Sequence, residues 1–140
     1  LTGTVDEDGV SGGIAGGTGD VAGAATTATG NVSSLFNSGA DAPLTYALQT
    51  SGLPSLTSGG VAVTYAAAGD TLTASAGGNT VFTLQVNATT GAYTFTLVDQ
   101  LDHAAGGDEN DLVLNLGSAI VAQDADGDTV AAAPGGLAIT

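Results

Sequence analysis

The chain has 14 Asp and Glu, a single His, and neither Lys nor Arg, for a formal charge of −14. Whatever it folds into must hold its carboxylates without cationic partners of its own. An internal salt bridge is possible only through His103 or an amino terminus. Phosphate contacts need Lys or Arg, so nucleic-acid binding through the backbone is excluded. Docking on anionic membranes or phosphorylated ligands is excluded for the same reason. The repulsion must be spread out or offset by ions from solution.

The remaining composition points to a thin all-β core. Gly (23), Ala (25) and Thr (20) make up close to half of the 140 residues, and the larger apolar residues (Leu, Val, Ile, Phe, Tyr) number 35. Only 10% of residues are charged, which is not the composition of a disordered chain. Without Cys, no disulfide or thiolate metal site is possible. No apolar run is long enough for a membrane-spanning helix. The length suits one domain over 1–140, and a start at Leu1 without Met suggests a module cut from something larger.

Short segments rich in Val, Thr, Leu, Phe and Tyr alternate with Gly, Asn and Asp turns. Strands are expected at 1–5, 32–36, 44–49, 61–65, 71–75, 80–86, 93–98, 112–121 and 129–140. Gly77-Gly78-Asn79 is a hairpin signal. Pro134-Gly135-Gly136 should interrupt the last strand. Eight or nine short strands favour a β-sandwich, with no convincing amphipathic helix. Residues 9–30 read either as a flexible loop or as an irregular edge strand whose small side chains permit close backbone approach.

Eleven of the 14 acidic residues fall in three groups. They are Asp6-Glu7-Asp8; Asp99, Asp102, Asp108, Glu109 and Asp111; and Asp124, Asp126 and Asp128. Crowded carboxylates in turns are a signature of cation binding. With only oxygen ligands, Ca²⁺ fits best because it accepts six to eight flexible ligands, and Mg²⁺ ranks second. Asp124-Ala125-Asp126-Gly127-Asp128 resembles the start of an EF-hand loop. It departs from it where Thr129 replaces the turn Gly and Gly135 replaces the bidentate Glu, which leaves a calcium-binding hairpin tip or a solvated turn. Gly106–Val113 approaches a β-roll nonapeptide, with Glu109 where a Gly belongs, but occurs once. His103 is expected to hydrogen-bond a neighbouring carboxylate.

If strands 93–98 and 112–121 are adjacent and antiparallel, Asp99–Asp111 lies at one pole and Asp124–Asp128 at the other. The Asp6–Asp8 group would share the pole of Asp124–Asp128, and the last strand would return toward the first. Each pole is then acidic, and Ca²⁺ could bridge consecutive modules.

Other motifs are weaker. Gly17-Thr18-Gly19-Asp20-Val21-Ala22 mimics a dinucleotide fingerprint but lacks the flanking strand and helix. One His without an elbow motif makes no triad, and the paired carboxylates lack a cleft, so no enzyme is expected. Asn31-Val32-Ser33 and Asn87-Ala88-Thr89 match the glycosylation pattern, without other signs of that chemistry.

Val5-Asp6-Glu7-Asp8-Gly9, Leu44-Thr45-Tyr46, Tyr93-Thr94-Phe95-Thr96-Leu97 and Leu101-Asp102-His103, with Gly107-Asp108-Glu109-Asn110-Asp111-Leu112 and Asp124–Asp128, resemble a known repeat. It is the tandem extender domain of giant RTX adhesins, exported by type I secretion in Gram-negative bacteria. The resemblance runs over nearly the whole chain. It implies an immunoglobulin-like or cadherin-like β-sandwich, Ca²⁺ at the three acidic groups, and neighbouring repeats of the same chain as partners. It also implies an extracellular spacer that projects a ligand-binding domain for adhesion and biofilm formation. The isolated module would be monomeric. The alternative is a calcium-dependent carbohydrate- or protein-binding module; Tyr46, Tyr65 and Tyr93 sit in strand patterns and are expected in the core, and an exposed Tyr beside an open calcium site would favour this alternative. Self-association through a sandwich edge is a third reading.

Overall fold

A computed structural model describes residues 1–12, 25–37, 42–103 and 112–140. Among these the fold is all-β, with four short 3₁₀ turns. The strands are β1 (Thr2–Gly3), β2 (Thr27–Asn31), β3 (Thr45–Leu48), β4 (Thr57–Ser58), β5 (Val61–Ala68) and β6 (Thr71–Ala76). They continue as β7 (Asn79–Val86), β8 (Ala92–Leu97), β9 (Leu114–Asn115), β10 (Ile120–Gln123), β11 (Thr129–Ala131) and β12 (Ala138–Ile139).

A six-stranded sheet in the order β2-β8-β7-β6-β5-β4 makes one layer. Two three-stranded sheets, β1-β12-β9 and β11-β10-β3, contribute the rest of the core. Period-two alternation places Tyr93, Phe95 and Leu97 inside from β8, and Leu72, Ala74 and Ala76 inside from β6. They join Tyr46, Leu114, Ile120 and Ile139 from the smaller sheets, and Leu116 and Leu137 from the turns beside them, in one buried cluster. Phe82 and Phe95 stack obliquely with ring centres 5.1 Å apart. The last strand does return to the first, since β12 pairs with β1 in parallel.

The central hairpins form as expected. Gly77 and Gly78, with φ of 58° and 84°, close β6 onto β7 in the left-handed region that a tight hairpin requires. The ladder between β6 and β7 shifts register at Ala74/Ser75. Both Val81 and Phe82 are consequently buried, against simple alternation. The Val81 carbonyl accepts from the amides of Val98 (2.8 Å) and Asp99 (3.0 Å), so the irregularity steers the chain as it leaves β8.

Three expectations are corrected. Residues 32–36 are not a strand: Val32–Leu35 is a 3₁₀ turn. The Asn31 carboxamide oxygen accepts from Ser33 N at 2.8 Å, and this side-chain cap overrides the β propensity of Val32. Residues 112–121 are two strands split by a 3₁₀ turn, Gly117–Ala119. A Cβ at Gly117 would collide with the Ala133 carbonyl oxygen, so the chain must fold tightly there. Nor does this segment neighbour β8, whose partners are β7 and β2. Of the low-complexity stretch 9–30, residues 13–24 lie outside the described residues; at its end, Thr27–Asn31 forms an edge strand with close backbone approach. A Cβ at Gly30 would lie 2.5 Å from the Tyr93 ring.

Candidate functional site

The first acidic group is built on a 3₁₀ turn, Glu7–Gly9. Asp6 caps it, accepting from Asp8 N at 2.9 Å, while Asp6 N donates to Ala25 O at 2.7 Å. Glu7 then reaches the segment that follows β8. Its Oε1 accepts from Leu101 N at 2.8 Å, and its Oε2 lies 3.6 Å from His103 Nε2, an ion pair when the imidazole is protonated.

That segment is held from several sides. Leu101 is buried, Asp99 Oδ1 accepts from Gln100 N at 2.9 Å, and Gln100 Nε2 donates to Gly12 O at 2.9 Å. Asp102 grips the β4–β5 turn, with Oδ1 accepting from Gly59 N (3.0 Å) and Oδ2 from Gly60 N (2.7 Å). Both glycines have positive φ, 57° and 79°, which turns consecutive amides toward one carboxylate. The Gly60 bond foremost, then the Thr57 side chain, and to a lesser degree the Gly59 amide and nearby His103, hold the Asp102 carboxyl below its ordinary value, against an opposing effect of desolvation.

The third group is the β10–β11 hairpin tip. Asp124 Oδ1 accepts from Asp126 N (3.0 Å) and Asp128 N (2.9 Å). Asp124 N donates to Asp128 O and Gly127 N to Asp124 O, with Gly127 at φ 90°. Beside the tip lies an open cleft of about 220 Å³, lined by Asn37, Leu44, Ala122, Asp124, Asp128, Thr129 and Val130.

Strand order fixes where these groups sit. The turn 87–91 joins β7 to β8 at one end of the large sheet, so Asp99–His103 leaves from the other end. Tyr46 N donates to Ala88 O, which places the start of β3 at the 87–91 end. Gln123 is in register with Thr45, so Asp124–Asp128 lies at that end too. The described part of the second group and the third group are thus at opposite poles. Contrary to the expectation from the sequence, the first group does not share the pole of Asp124–Asp128. The Glu7 contacts bring it to Asp99–His103 instead.

Asp108, Glu109 and Asp111 lie outside the described residues. Among the described residues, no three Asp, Glu or His side chains come together tightly enough to hold an ion. His103, expected to hydrogen-bond a neighbouring carboxylate, lies at ion-pair distance from Glu7, 3.6 Å, and also favours the ionised form of Asp102. Tyr46 and Tyr93 are buried, and half-buried Tyr65 donates to Pro54 O at 2.6 Å, so none offers an open aromatic platform. Sequence reasoning missed the clamping roles of Glu7 and Asp102. It also missed those of the two Asn-x-Ser/Thr motifs. Asn31 caps one turn and donates to Thr90 O, and the Asn87 oxygen accepts from Thr89 N and Thr90 N. An Asn two residues before a Ser or Thr is also a turn-capping signal.

A family model described as a domain of unknown function, DUF5801, matches residues 4–134. The chain belongs to this family. The match takes in all three acidic groups, from Asp6 to Asp128. No curated protein and no solved structure matches the chain.

Proposed function

We propose that this domain is a calcium-binding extender module of a bacterial cell-surface adhesin of the RTX type. In this reading it is a structural unit rather than an enzyme. It works outside the cell, where neighbouring repeats of the same chain, joined through Ca²⁺, project a distal binding domain. The observation that carries the reading is the division of charge. Glu7, Asp99 and Asp102 gather at one end of the sandwich and Asp124, Asp126 and Asp128 at the other. A chain without Lys or Arg cannot neutralise either end, so stacked modules would repel end to end. A hard divalent cation with flexible oxygen coordination offsets both charges and stiffens the junction. Export as an unfolded chain followed by folding in external Ca²⁺ fits the absence of Cys and the strong acidity.

Thermal unfolding tests this. Calcium at about a hundred times its dissociation constant stabilises the native state by roughly 2.7 kcal/mol, a rise of several degrees in Tm. Millimolar Ca²⁺ should give that rise over chelator, and matched Mg²⁺ a smaller one. Junction sites completed by the next module would respond only in a two-module protein. No calcium response in either protein overturns the reading.

A further inference from the structure

We infer that the outer edge of β5, from Thr64 to Ala68, is a lateral contact surface that pairs antiparallel with the same edge of a second copy of this chain. β5 pairs with β6 along Val63–Ala68, but β4 covers it only at Val61 and Ala62. Val63 N still donates to Leu56 O, so the peptide groups of Val63, and by alternation those of Tyr65 and Ala67, face away from β6. Among the described residues no strand pairs with Tyr65 or Ala67 on that side. Such edges are ordinarily blunted by a charge, a Pro or a bulge. Thr64-Tyr65-Ala66-Ala67-Ala68 has none of these, and Thr64, Ala66, Ala67 and Ala68 are exposed.

Charge selects the occupant. Residues 42–98 contain one charged residue, Asp70, in a chain of net charge −14. Two of the other edges differ. β11 follows directly on Asp124–Asp128, and β2 lies beside the amino-terminal segment, with Gly3 packed against Ala28. A basic peptide would be drawn to the acidic poles. The uncharged β5 edge is where a second copy meets the least repulsion. With the two-fold axis at Ala66, Tyr65 of each copy faces Ala67 of the other, and the four peptide groups exchange hydrogen bonds as two narrow pairs. Ala66 meets Ala66, and its small side chain lets the strands close to normal spacing. Each end of the pairing brings Asp70 of one copy toward the other copy's Gly60, which holds Asp102. Added salt screens that repulsion, so association strengthens with ionic strength, opposite to an interface made of salt bridges.

The test is sedimentation of the whole chain in chelator, which removes any calcium bridging and separates this inference from the extender reading. The apparent mass should rise toward a dimer with protein concentration, and more steeply at about 0.5 M than at about 0.02 M NaCl. Ala66→Asp and Ala66→Lys, at an exposed position, should each stay monomeric, and an equimolar mixture should dimerise again. Circular dichroism confirms that each variant is folded. Three results would each overturn the inference. One is a wild type that remains monomeric at all concentrations and salts. Another is a dimer that Ala66→Asp leaves intact. The last is slow hydrogen exchange at Tyr65 and Ala67 in dilute monomer, which would mean the chain covers its own edge.

Discussion

The Glu7 carboxylate accepts a hydrogen bond from the Leu101 amide, 94 residues away in sequence, at 2.8 Å. Leu101 is only 5% exposed, so its amide has little access to water as an alternative partner. Glu7→Ala should therefore cost about 1–2 kcal/mol, roughly 3–6 °C in Tm, by leaving that donor unpaired. Glu7→Gln retains an acceptor oxygen and should recover most of the loss. His103→Ala breaks only a partly exposed pair at 3.6 Å and should change stability by less than about 1 kcal/mol. Thermal melts of the three variants in chelator check the ranking.

Within Asp124–Asp128 the carboxylates have unequal duties. Asp124 holds the loop by accepting two of its amides, whereas Asp126 is exposed and contributes its backbone N–H. Without divalent ions, Asp124→Ala should lose about 1 kcal/mol and Asp126→Ala less than about 0.5 kcal/mol. If the hairpin tip binds calcium, Asp126→Ala should flatten the calcium-induced Tm rise while leaving the chelator melt unchanged. Paired melts with and without Ca²⁺ separate the two roles.

Gly117 is fixed by the backbone of another segment. A Cβ there would strike the Ala133 and Pro134 carbonyl oxygens, which belong to main chain and cannot swing aside. Gly117→Ala should cost about 3 kcal/mol, well above an ordinary surface change. Gly135→Ala, two residues from the same contact and in open space, should be close to neutral. Denaturant unfolding of both variants makes the comparison.

These cases show which parts of the fold were legible from sequence. Alternation in Tyr93–Leu97 and the Gly77-Gly78 turn are local signals, and local physics decides them. The break at Gly117 was not legible, because the obstacle is Ala133, distant in sequence. The strand expected at 32–36 failed for a local reason: Asn31 reads equally well as a strand end and as a cap, and its bond to Ser33 N decides between them. At the acidic site, the groups could be read from composition but their pairing could not. Glu7 joins Leu101 and His103 because the amino-terminal segment is tied in just before the turn. Val5 N donates to Thr140 O and Asp6 N to Ala25 O, and neither contact leaves a trace in the spacing of carboxylates.

Asp102 supplies the pH dependence. The Gly60 amide foremost, then the Thr57 side chain, the Gly59 amide and His103, favour its ionised form, so its folded-state pKa lies below the ordinary value of 3.8. A group depressed in the folded state contributes stability that is fully present above its unfolded pKa. That contribution is lost as pH falls through the folded value. The β4–β5 turn should thus keep its clamp down to pH 3.8 and loosen only in stronger acid. In chelator, the stability difference between wild type and Asp102→Asn should be flat above pH 3.8 and shrink below it. Carboxyl-carbon NMR should place the Asp102 midpoint below 3.8, and the Gly59 and Gly60 amide shifts should move with the same midpoint. A midpoint at or above the ordinary value would show that the two glycine amides do not hold the carboxylate in solution.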